Sequence, residues 1–84
     1  MKNETVILRN LMNFKIRLME IKSIIECARS DNLIRLLDEP LPAEQKQKTE
    51  ETIRTQAILC GEYADIITEF DILLCDIEET LSNE

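Results

Sequence analysis

Three cysteines, seventeen carboxylates and no histidine are the side chains with which this chain could do chemistry. Cys60 and Cys75 lie fifteen residues apart, which on one helix is ~22 Å along the axis, too far to share a metal or a disulfide. Cys27 could approach Cys60 across a hairpin. A turn centred near residue 41 sets Cys27 opposite about residue 55, an axial offset of ~7 Å that makes a bridge awkward. No CxxC pair or histidine is present to lower a thiol pKa, so the three read as reduced thiols, with Cys60 packed as a small hydrophobe.

The carboxylates concentrate in the second half. After Arg54 there is no basic residue, while Glu62, Asp65, Glu69, Asp76 and Glu79 follow. Glu62, Asp65 and Glu69 share one helical face at i, i+3 and i+7. A carboxylate metal site in a helical bundle usually adds Glu-x-x-His ligands, and this chain has no His. The missing His also removes Ser-His and Cys-His catalysis, and a single glycine, Gly61, cannot build a phosphate-cradling loop. No catalytic, cofactor-binding or metal-binding residue is therefore expected. The five carboxylates read instead as a solvated face that can dock a partner protein and bias its choice.

Eighty-four residues allow one domain, and 44% hydrophobic with 32% charged residues suits a folded chain. The formal net charge is −7, a balance that disfavours nucleic acid as a partner. Lys15, Arg17, Lys22, Arg29 and Arg35 do form a basic set, but the acidic half would lie beside it. The apolar run near the N-terminus is interrupted at Arg9, Asn10 and Asn13, which predicts no signal peptide, and no stretch is long enough for a membrane span. With an odd, widely spaced set of cysteines, the expected setting is the cytoplasm.

These side chains must be carried by helices. Ile7, Leu11, Phe14, Leu18, Ile21, Ile25 and Ala28 alternate in steps of four and three, the heptad rhythm. Leu8, Met12 and Met19 widen that stripe. The phase is lost near Ser30-Asp31-Asn32, because its continuation would place Asn32 and Arg35 in the seam. The spacing therefore predicts a helix over about 4–29, a kink or short third helix over about 32–38, and a turn at 39–42 set by Pro40 and Pro42. A second helix follows over about 43–82. There Ile53, Cys60, Ile67, Leu74 and Leu81 recur every seven residues, with Gln56, Tyr63, Phe70 and Ile77 three further on. Leu59, Ile66 and Leu73 make a third row. Gly61 reads as a tolerated defect or a close packing point, with a hinge as the remaining alternative.

The expected fold is all-α, an antiparallel coiled-coil-like hairpin in a single domain. Residues 1–35 hold seven basic and four acidic residues, whereas 36–84 hold three basic and thirteen acidic, so folding back lays unlike charges side by side. Both stripes are wider than one seam needs: Leu8, Met12, Ile16 and Met19 are surplus on the first helix, and Leu59, Ile66, Leu73 and Ile72 on the second. A two-helix hairpin cannot bury such rows. The preferred expectation is a homodimer closing a four-helix bundle. A groove holding another protein's helix and a monomer closed by residues 33–37 are the alternatives. The interface residues expected are Leu8, Leu11, Met12, Phe14, Leu18, Met19, Leu59, Tyr63, Ile66, Ile67, Phe70, Leu73 and Leu74. The function expected is protein–protein interaction, as adaptor, chaperone or inhibitor. Narrower readings are a small acidic secretion-type chaperone covering a client helix, and an acidic decoy that blocks a nucleic-acid-binding protein.

Overall fold

A computed structural model describes residues 2–83 of the chain as two helices, α1 (Lys2–Asp38) and α2 (Ala43–Ser82), folded back on each other. The hairpin is a rod of 63 × 16 × 15 Å. It is the all-α hairpin that the two apolar periodicities require.

The turn is made by residues without free helical choices. Glu39 N–H donates to the Arg35 carbonyl at 3.0 Å and closes the last turn of α1. Pro40 then has no N–H to continue the ladder and disfavours helical geometry before it. Leu41 N–H donates to the Glu39 carbonyl, and Pro42, at φ −56° and ψ 149°, sits at the N-cap of α2. The Pro42 carbonyl accepts from Lys46 N–H at 2.9 Å. The first turns of α2 are almost wholly polar and exposed. They hold helical form through residues of good helix propensity and local pairs, Glu44 with Lys48 and Gln47 with Glu51. Further along, Thr49, Thr52, Thr55, Thr68 and Thr80 each donate their hydroxyl to the carbonyl four residues earlier.

α1 departs from expectation at 30–32. No separate third helix forms; residues 32–38 are the last turns of α1. The reason lies in the phase of the seam. With Ala28 half-buried beside it, the seam row of α1 is Glu4, Leu8, Leu11, Lys15, Leu18, Lys22, Ile25, Arg29, Asn32 and Leu36. Steps of four and three run through all of them without a break, so Leu36, not Arg35, fills the seam at the turn end. Ile7, Phe14 and Ile21, expected inside, are exposed. On α2 the seam holds Ile53, Gln56, Cys60, Tyr63, Ile67, Phe70, Leu74, Ile77 and Leu81, the rows read from the sequence, continued by Thr49, with Glu50, Ala64 and Asp71 half-buried beside them. Residues 33–37 do not fold over the hairpin to close it: Leu33, Ile34 and Leu37 are themselves exposed.

The side chain that would have been a packing point is also settled. A methyl group added at Gly61 would meet nothing within 4 Å, so the glycine is a tolerated defect in the helix. Gly61→Ala should therefore stabilise the hairpin by about 1 kcal/mol through helix propensity. In a thermal melt followed by circular dichroism the midpoint should rise by about 4–8 °C. A fall would mean that something outside the hairpin packs closely on that backbone.

Candidate functional site: an unpartnered apolar flank

Three contacts set the register between the helices. Asn32 Nδ2 donates to Gln56 Oε1 at 3.3 Å, Lys15 pairs with Asp71, and the rings of Phe14 and Phe70 stand 5.6 Å apart, tilted by 41°. Residues of α1 and α2 whose numbers total about 86 therefore lie level along the rod. The Asn32–Gln56 pair is a polar layer within an otherwise mostly apolar seam, a device that fixes register at some cost in stability.

That register changes the expectation for the cysteines. Cys27 is level with the region of Cys60, not with residue 55. What keeps the thiols apart is direction: Cys27 faces solvent, Cys60 is half-buried in the seam, and Cys75 is exposed. All three are free.

The seam itself is thin. Leu18, Ile53 and Leu74 are the buried hydrophobic residues, and no side chain is fully enclosed. One of its rows is cationic: Lys15, Lys22 and Arg29 alternate with Leu18 and Ile25. Their stems run along apolar surface while the charged ends reach outward. Lys15 meets Asp71 on α2, and Lys22 lines a shallow groove with Met19, Ser23, Ala64, Ile67 and Thr68. The small Ala57 and Ala64 leave room for these long side chains on this flank. A hydrogen bond to Glu26, first, and that residue's charge raise the Lys22 pKa and hold the ammonium in its charged form. Arg29 Nε is enclosed without a hydrogen-bond partner. Three of the five cations of the basic set, Lys15, Lys22 and Arg29, thus lie along the seam and not on the outer face of α1.

The flanks follow from this register. In an antiparallel pair, rows at equivalent heptad positions beside the seam come together. On one flank α1 offers Met12, Met19 and Leu33, but α2 answers with Ala57, Ala64 and Asp71. On the other, Ile7, Phe14 and Ile21 of α1 lie beside Leu59, Ile66 and Leu73 of α2. All six are exposed. Phe14 is level with Leu73, Ile21 with Ile66, and Ala28 with Leu59, so the two rows form one apolar strip above the Phe14–Phe70 stack.

The expected interface residues therefore divide by place. Leu8, Leu11, Tyr63, Ile67 and Phe70 are half-buried in the seam, with Leu18 and Leu74 buried there. Phe14, Leu59, Ile66 and Leu73 stand on the apolar flank, and Met12 and Met19 on the opposite one. The surplus rows read from the sequence do not make one patch. Leu8 lies in the seam, Met12 and Met19 lie on the flank opposite Leu59, Ile66 and Leu73, and Ile16 and Ile72 are exposed on the outer sides of their helices, so it is Ile7, Phe14 and Ile21 that complete the strip with α2. Sequence reasoning had these three residues, but assigned them to the seam.

Glu62, Asp65, Glu69, Asp76 and Glu79 are all exposed. Glu62, Glu69 and Asp76 form a row bordering the apolar flank, and Asp65 and Glu79 lie further round α2. Among the described residues these five make no ion pair; Lys22–Glu26, Arg35–Glu39 and Lys48–Glu44 each join residues four apart in sequence. Nor do three His, Cys, Asp or Glu side chains converge on a metal-sized site among those residues. No helix is long and apolar enough to cross a membrane. No family model matches the chain, and searches of curated proteins and of solved structures found no match either.

Proposed function

We propose that this chain is a non-enzymatic protein–protein interaction module, an adaptor, chaperone or inhibitor that works by packing its apolar flank against another helix. The observation that carries this reading is the strip of Ile7, Phe14, Ile21, Leu59, Ile66 and Leu73, six large apolar side chains in two level rows, all open to water. Monomeric proteins rarely keep so continuous an apolar surface without a use for it. A two-row groove on a helical pair is a shape that takes an amphipathic helix. The row of Glu62, Glu69 and Asp76 along its edge favours partners with basic residues at the rim and speeds their encounter. Three free cysteines support a cytoplasmic setting.

Light scattering on a size-exclusion column, under reducing conditions and across a concentration series, tests the reading. The expected result is either a mass near twice 9.8 kDa or a monomer that tails and binds a hydrophobic dye. A compact monomer that binds no dye would overturn it.

A further inference from the structure

We infer that the occupant of the apolar flank is a second copy of this chain, docked with its proline turn at the same end as that of the first. In this arrangement α1 of each copy lies across α2 of the other. The inference rests on the reading of the flank as an interaction surface, and it names the partner and its orientation.

Area argues for a partner of this size. The hairpin exposes 6580 Å², whereas a compact monomer of 9.8 kDa exposes roughly 5,200 Å². The excess is roughly 1,400 Å², and a stable protein–protein interface removes about 800 Å² from each partner. A second copy brings the same two-row strip and buries it in the same act, which leaves a four-helix bundle with an enclosed centre.

Charge chooses between the two ways of pairing. Just outside the strip, α2 carries Glu62, Glu69 and Asp76, and α1 carries Asn10, Arg17, Ile24 and, toward the turn and level with Thr55, Asp31. If the two-fold axis ran across the rod, α2 would lie on α2. Six carboxylates would then line one edge of the dimer, while Lys48, the cation of their row, lies at the turn end and is paired with Glu44. If the axis runs along the rod, each acidic row borders α1 of the other copy. The register then sets Arg17 level with Glu69 and Asn10 level with Asp76 of the second copy. The same-end pairing replaces a like-charge edge with one ion pair and one hydrogen-bonding pair on each side.

The test places a spin label at the turn of the full-length chain. Ala43→Cys is made in a background of Cys27→Ser, Cys60→Ala and Cys75→Ser, and the label-to-label distance is measured by pulsed electron resonance. Scattering first confirms that the background chain keeps the mass of the unaltered protein. Same-end docking predicts a dimer with a distance below about 30 Å, given helices packed 8–10 Å apart. A dimer with labels separated by nearly the 63 Å length of the rod would overturn the orientation and leave the apolar-flank reading standing. A monomer that binds hydrophobic dye would overturn the second copy alone. A compact monomer that binds no dye would overturn both. As an independent arm, Arg17→Glu should weaken dimerisation by about tenfold, and Glu69→Arg in the same chain should restore it. If Glu69→Arg does not restore it, the pairing of these two residues is overturned.

Discussion

Leu74→Asp abolishes folding. Leu74 is the most buried residue of the hairpin, at 6% exposure, and it sits in a seam that has few alternatives. A chain of this size has at most about 4–13 kcal/mol of stability. Losing the leucine's burial removes about 1.5–3 kcal/mol, and an unpaired carboxylate placed there costs several more. The nearest cationic row belongs to Lys15, Lys22 and Arg29, further toward the turn. The variant should show no cooperative melt and little helical circular dichroism at neutral pH. Leu37→Asp is the control: Leu37 is 84% exposed, and its replacement should change stability by no more than about 0.5 kcal/mol. Two leucines of equal hydropathy thus differ in consequence because only one of them faces α2. A cooperative, near-native melt in Leu74→Asp would show the register to be wrong.

The second large effect is expected one residue from a seam position. Ile66 neighbours Ile67 in sequence, yet it is 45% exposed on the apolar flank while Ile67 is half-buried between the helices. In an isolated hairpin, Ile66→Asp would cost little. With the flank covered by another helix, it sets a charge into an apolar interface and should weaken association by about a hundredfold or more, each tenfold being 1.4 kcal/mol. Unfolding supplies the readout. The melting midpoint of the unaltered chain should rise with protein concentration, because association stabilises only the folded form. In Ile66→Asp that dependence should vanish and the midpoint should fall. Ile58→Asp, on a residue that faces away from the flank, should leave the concentration dependence intact. Equal behaviour of the two variants would remove the flank from consideration as an interface.

α2 was legible in the sequence row by row, and α1 was not. In α2 the seam residues Ile53, Cys60, Ile67 and Leu74 leave one reasonable phase. In α1, Leu11, Leu18 and Ile25 belong equally to two phases. One adds Ile7, Phe14, Ile21 and Ala28, and the other adds Leu8, Lys15, Lys22, Arg29 and Leu36. Hydropathy favours the first. The structure takes the second, because Ala57 and Ala64 make space for the cationic stems and Asp71 meets one of them. That phase also sets Asn32 against Gln56 and Leu36 in the seam, so the helix has no cause to stop at residue 30. A sequence ranks how apolar each row is, but not which neighbour a row will face. The apolar rows set aside as core in α1 are the ones left for a partner. The same shift explains the misplaced Cys27, since axial level came from a turn position and direction could not be read.

The reversal of the chain at Pro40–Pro42 gives the rod two unlike poles. The described ends of the two helices, Lys2 and Ser82, lie at one pole, and the proline turn stands alone at the other, across the 63 Å of the long axis. A reporter fused to either terminus is therefore held far from the turn. With same-end docking the polarity doubles: four chain ends gather at one pole and two turns at the other. In that arrangement the body would act as a spacer with a head and a tail, holding whatever is tethered at one pole as a cluster while leaving the opposite tip clear.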